Sequence, residues 1–145
     1  MTDYACPTEE QFAKFNDLPS NEPLHMLNLI RVREHALYPD GRKCSGIEAY
    51  NAYGRESLPV FSRLGGFQFY IGKFEQTLVG PAEERWDIVF IAQYPNTAAL
   101  TEMLRDPVYG EAVKHREAAV EDTRVIRLKP GVPGKGFGQY PSGNL

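Results

Sequence analysis

Residues 86–128 read WDIVFIAQYPNTAALTEMLRDPVYGEAVKHREAAVEDTRVIRL, and they spell a strand, a broken helix and a returning strand. From Trp86 to Tyr94 the chain is almost continuously apolar. Trp86, Ile88, Phe90, Ala92 and Tyr94 take one side and Val89 and Ile91 the other, so the strand needs cover on both faces. Pro95 and Asn96 stop it, and Asn96 is placed to cap a helix in which Leu100, Met103 and Leu104 recur at helical spacing. Asp106-Pro107 restarts that helix, because proline at the first helical position gives up only an N–H that lacks a partner there. Tyr109, Ala112, Val113, Arg116 and Val120 then share one face, and one of the five is charged. Thr123 to Leu128, rich in β-branched residues, is a short strand.

Working upstream, Leu24 to Val32 is a second strand apolar on both sides, with Met26, Asn28, Ile30 and Val32 on one face and Leu27 and Leu29 on the other. Ser45 and Glu48 form a capping box for a helix reaching Leu64, with Ile47, Tyr50, Leu58, Phe61 and Leu64 along its stripe and Tyr53 and Val60 widening it. Pro59 interrupts its hydrogen bonding and Gly65-Gly66 end it. Phe67 to Phe74 is a strand that extends toward Val79 and returns through Gly80-Pro81 into the Trp86 strand, an antiparallel hairpin. The loop from Ala36 to Cys44 is a turn cluster around Pro39-Asp40-Gly41, and its Arg42 and Lys43 approach the next helix as a candidate anion-binding corner. Near the start, Thr8 and Gln11 box a short helix carrying Phe12 and Phe15. Residues 130–145 hold five glycines and three prolines and cannot build a core. Gly131 to Gly138 lacks the spacing, the following Ser or Thr and the helix of a phosphate loop. The chain therefore divides into an N-terminal helical arm (1–22), an α+β domain (23–129) and a tail (130–145).

With 145 residues, 42% of them hydrophobic and 24% charged, the chain fits one soluble domain. A net charge of −3 leaves no basic field for nucleic acid, and no apolar run approaches a membrane span. The N-terminus lacks a signal-peptide pattern, and Cys6 and Cys44 form no metal-spaced pair, which points to the cytoplasm and to no metal or cofactor. The element order in the central domain is βαββαβ, the split pattern of the ferredoxin-like α+β fold with an antiparallel four-stranded sheet. Two helices cover one face of that sheet, so the second apolar face calls for a partner sheet, and a homodimer supplies it.

Gly65-Gly66-Phe67, the IVFIAQYPNTAAL passage, Asp106-Pro107-Val108-Tyr109 and His115-Arg116-Glu117-Ala118-Ala119 resemble domain-of-unknown-function family 1330, within the dimeric α/β barrel superfamily. The resemblance spans most of Leu24 to Leu128 and implies the fold and dimerisation. Relatives on this fold include cofactor-independent oxygenases, haem-degrading enzymes and small-molecule isomerases, and one fold hosts many chemistries.

The functional expectation is a pocket between sheet and helices for a small aromatic or carboxylic molecule, lined by Asn28, Tyr50, Tyr53, Tyr70 and Trp86, with His115 and Arg116 as catalytic candidates. Arg116, a guanidinium on an apolar helical face, suits a substrate carboxylate or enolate; its plainer role is a buried ion pair with Glu48, Glu56 or Asp87. His115 carries an imidazole, which suits a general base; its plainer role is a surface histidine. Asn28 is either a ligand contact or an amide bonded to backbone, and Tyr50 and Tyr53 are either ligand contacts or core aromatics with polar tips. In the oxygenase version, Asn28, Trp86 and Arg116 or His115 hold a phenolic substrate and its peroxide. The competing expectation is a non-catalytic homodimer whose aromatic residues serve the core and whose tail clasps the partner.

Overall fold

The structure is a computed structural model that describes residues 6–18 and 21–138; Ser20, which opens the expected turn before the first strand, and tail residues 139–145 lie outside them. The elements run α1 (Glu9–Asp17), β1 (Leu24–Val32), α2 (Gly46–Arg63), β2 (Phe67–Lys73), β3 (Ile88–Tyr94), α3 (Thr97–Arg105), α4 (Pro107–Ala119) and β4 (Val120–Leu128). The strands form one antiparallel sheet in the order β2-β3-β1-β4. This is the ferredoxin-like α+β arrangement that the order of elements predicts. The helix starts follow their caps: Thr8 and Ser45 make complete capping boxes, Asn96 accepts from the Ala99 N–H, and Asp106 caps α4 with Pro107 inside its first turn.

Residues opposite one another in an antiparallel ladder share a face, so the register sorts the side chains. Toward the helices point Met26, Asn28 and Ile30 of β1 with Ala92, Phe90 and Ile88 of β3. Two buried clusters fill this side. One joins Leu24, Met26, Ala92 and Tyr94 to Val60, Met103 and Tyr109; the other joins Ile30 and Val32 to Ala49, Tyr50, Ala118 and Val120. The buried stripe of α2 is Gly46, Ala49, Tyr50, Ser57 and Val60, and Ile47 and Leu58 of the expected stripe stand in solvent. The small residues win that face because they let α2 settle close to β1 and α4. At the carboxyl end of β4, Arg127 donates to the Phe15 carbonyl and to Thr97 Oγ1, each at 3.0 Å, and its guanidinium lies 4.6 Å above the Phe15 ring, which seats α1 on the domain.

Three expectations need correction. The β2 strand stops at Lys73, opposite Ile88, because the ladder runs out where β3 begins; residues 74–87 cross as an irregular connection with Leu78 and Val79 exposed. The β3 strand starts at Ile88 rather than Trp86, since the Asp87 carboxylate accepts from the Val32 N–H and from Arg85 Nε, both at 2.9 Å, and takes the preceding chain out of the ladder. Finally, β4 starts directly at Val120, the residue that caps α4, so no loop separates helix from strand.

The second sheet face carries the rows Phe67-Gln93-His25-Leu128 and Tyr70-Ile91-Leu27-Ile126, with Phe69 stacked on His25 at 4.5 Å. Phe67, Phe69, Tyr70, Ile126 and Leu128 are 40–55% exposed there. No described element covers this face. Among the described residues no helix is long and apolar enough to cross a membrane.

Candidate functional site

The loop after β1 is fastened at both ends: the Ala36 N–H donates to the Cys44 carbonyl, the Leu37 N–H to the Ala118 carbonyl, and His35 bridges Ser45. These bonds lay Tyr38 along α4, one turn from His115. The Tyr38 hydroxyl lies 2.6 Å from His115 Nδ1, and His115 Nε2 lies 2.9 Å from the Glu56 carboxylate of α2. A hydroxyl, an imidazole and a carboxylate thus form one chain across the seam between α2 and α4. With Nε2–H facing the carboxylate, the neutral imidazole offers Nδ1 to the Tyr38 hydroxyl as acceptor. His115, at the middle of the chain, is only 15% exposed, whereas Glu56 at one end is 48% exposed and Tyr38 at the other is half-buried. His115 is therefore an oriented, enclosed imidazole and not the surface histidine of the plainer reading. Burial, followed by the nearby Cys44 thiol, holds the Tyr38 hydroxyl above its ordinary range, and the Arg42 guanidinium opposes that shift. Arg42 lies 4.2 Å over the Tyr38 ring and pairs with Asp40 at 3.0 Å, so the expected anion corner is spent on Tyr38 and Asp40.

Beside this chain stands a tyrosine cluster. Tyr50 and Tyr53 of α2 have ring centroids 5.3 Å apart, and the Tyr53 and Tyr109 hydroxyls meet at 2.9 Å. Burial raises the hydroxyl pKa of Tyr50, Tyr53 and Tyr94, and the Arg116 charge opposes the rise for Tyr50 and Tyr53, which places Arg116 against this pair. Unfolded tyrosines ionise at about pH 10 and these three later. The folded state thus keeps protons that the unfolded state has lost, and stability, fully present below about pH 10, falls as pH rises above it. Urea midpoints followed by circular dichroism are expected to drop from about pH 9.5 upward; a midpoint constant to the onset of alkaline unfolding would contradict this.

The structure brings Tyr50, Tyr53, His115 and Arg116 together on α2 and α4. Asn28 is half-buried on the helix side of the sheet, where its Nδ2 donates to the Met26 carbonyl at 3.0 Å, the plainer of its two readings. Tyr70 lies on the opposite face, in register with Ile91, and is 55% exposed. Trp86 also leaves the helix side, with its ring 5.4 Å below the Arg124 guanidinium, and Arg124 is in register with Leu29 on the second face. Neither lines a site between sheet and helices: the bulge between Gln68 and Tyr70 and the late start of β3 turn them away. Tyr38 and Glu56, missing from the expected set, complete the His115 chain. Tyr38 is 77 positions from its partner in sequence, and no spacing rule announces such a pairing. Among the described residues no group of three or more His, Cys, Asp or Glu side chains is arranged to hold a metal ion.

Comparison with known proteins agrees with this architecture. The crystal structure of the methylated RPA0582 protein superposes with a TM-score of 0.89 at 60% identity over 93% of this chain and 100% of that one. A second structure, of RPA0582 from Rhodopseudomonas palustris, a protein of unknown function, gives 0.87 at 58% identity over 91% and 100%. A NIPSNAP-like domain protein from Burkholderia xenovorans, at 14% identity over 79% and 90% of the two chains, has a TM-score of 0.51 and shares the fold alone. No curated protein matches the chain. The sequence profile of the Domain of unknown function (DUF1330) family matches residues 43–128, and the chain belongs to that family.

Proposed function

We propose that this protein is a cytoplasmic, homodimeric enzyme of the cofactor-independent kind that removes a proton from a small aromatic or carboxylic molecule. Such a step opens both an isomerisation and the oxygenation of a phenolic substrate. The observation that carries the proposal is the His115 imidazole held at both nitrogens, by Tyr38 and by Glu56. In the proposed step the Tyr38 oxygen takes the substrate proton while its own proton passes to Nδ1, and Glu56 steadies the resulting imidazolium. Native mass spectrometry of the purified protein, followed by release of the retained molecule, names the substrate class. Solvent deuterium should then enter that molecule in the presence of wild-type protein and not in the presence of His115→Gln. Equal incorporation by the variant would overturn the reading.

The homodimer rests on the exposed apolar second face of the sheet, which a second sheet would cover. In this reading residues 23–129 are the barrel-forming domain, 1–22 an arm and 130–145 a tail laid on the partner. Light scattering at micromolar concentration is expected to give twice the chain mass, and Leu27→Lys, which puts a charge on an inner strand of that face, half as much. A monomeric wild type would refute the assembly. The second reading, a non-catalytic homodimer, is favoured by the closed packing of Tyr50 and Tyr109, which are 8% and 7% exposed. On that reading the Tyr38–His115–Glu56 chain only clamps the loop, and His115→Gln lowers stability without changing any turnover.

A further inference from the structure

We propose that a cleft at the carboxyl end of β1, sharing no lining residue with the His115 chain, binds a small organic carboxylate. The cleft has a volume of about 390 Å³ and is walled by residues of four segments: the end of β1 with Arg33 and Glu34 just beyond it, the first turn of α2, the end of β2, and the approach to β3. That size is within the range of small-molecule sites, about 300–1,000 Å³. Three cations line it, Arg33, Lys73 and Arg85, with two carboxylates, Glu34 and Asp87. The Asp87 carboxylate is already committed to the Val32 N–H and to Arg85 Nε. Glu34 is 90% exposed and stands 3.9 Å from His35. Neither neutralises Arg33, whose Nε is sealed from solvent and has no hydrogen-bond partner. A guanidinium cannot shed its proton, so Arg33 keeps a positive charge beside the cleft that neither carboxylate offsets.

Local geometry brings the first turn of α2 against the Arg33 backbone. A Cβ on Gly46 would stand 1.9 Å from the Arg33 carbonyl oxygen, so glycine alone lets the first turn of α2 abut the Arg33 backbone. The positive end of the helix dipole therefore adds to the Arg33 charge. Val32, Ile47 and Phe74 give the rest of the wall its apolar part, beside Ser45. A charged rim over an apolar wall selects a hydrocarbon body bearing one carboxylate, and the planar guanidinium matches that carboxylate in bidentate fashion.

The test is titration of the full-length protein with cyclohexanecarboxylate, read by calorimetry and by amide chemical shifts, with cyclohexylmethanol and inorganic phosphate as comparison probes. The carboxylate is expected to bind and to shift the amides of Gly46, Ile47 and Lys73, and the neutral alcohol to bind at least about tenfold more weakly. Arg33→Gln is expected to lose about tenfold in affinity. Lys73→Met, at the exposed end of β2 where the fold does not depend on the charge, is expected to lose severalfold. Absence of binding, shifts elsewhere, or equal affinities in wild type and both variants would overturn the site. Phosphate binding at least as tightly as the carboxylate would overturn the ligand class. The readout is binding and not turnover, so the result is independent of whether His115 is a base.

Discussion

Gly46→Ala is expected to destabilise the protein by about 3 kcal/mol or more. The new methyl would sit 1.9 Å from the Arg33 carbonyl oxygen and 2.9 Å from its carbonyl carbon. Both are main-chain atoms, so no rotamer change relieves the clash; either the end of β1 or the start of α2 has to move. Alanine is the better helix former by about 1 kcal/mol, which acts in the opposite direction and is outweighed. Gly54, inside the same helix, supplies the control, since a Cβ there meets nothing within 4 Å. Gly54→Ala is therefore expected to stabilise by up to about 1 kcal/mol. Urea unfolding of the two variants, followed by circular dichroism, compares close approach with helix propensity in one element. An unchanged midpoint for Gly46→Ala would show that α2 does not dock on Arg33 as described.

The second large effect concerns turnover. Once the retained molecule has been identified, His115→Gln and Tyr38→Phe are each expected to lower kcat by about 10²–10⁴-fold, the usual contribution of a positioned acid–base group, with little change in KM. Because hydroxyl and imidazole act as one unit, the double variant should lose no more than the worse single variant. Glu56→Gln, which keeps a hydrogen-bond acceptor but removes the charge that steadies the imidazolium, is expected to fall between these and the wild type. A clamp predicts the opposite pattern. Tyr38→Phe would then loosen the loop and cost about 1 kcal/mol of stability, and kcat would hold in all three variants.

Much of the fold was legible in the chain because local chemistry writes it there. Asn96, Asp106-Pro107, Thr8 and Ser45 mark helix starts through groups that lie within three residues of the N–H they satisfy. The inner strands announce themselves because burial on both faces demands continuous apolar sequence, as in Leu24–Val32 and Ile88–Tyr94. Less was legible at the edges. Leu78 and Val79 look like strand residues, yet they are 83% and 91% exposed because their would-be partner stops at Ile88. Ile47 and Leu58 satisfy a helical period, but Ala49, Ser57 and Val60 take the packed face, and only the neighbouring elements choose between two such stripes.

The candidate site shows the same division. Tyr50, Tyr53 and Arg116 were readable as polar or aromatic groups on apolar helical faces, with His115 next to Arg116, and α2 and α4 bring them together. Tyr70 and Trp86 were assigned to the wrong side, because one bulge in β2 and one hydrogen-bonded aspartate before β3 decide which way they face. By itself the sequence determined the element order, the helix starts and the apolar character of the second sheet face, since each depends on groups close together in the chain or on the simple count of apolar positions. Only the tertiary structure decided that Tyr38 and Glu56 meet His115 and that the Arg33 backbone abuts Gly46. Those contacts join groups from a loop, two helices and a strand end, and their distances depend on how α2 and α4 pack, which no local periodicity encodes.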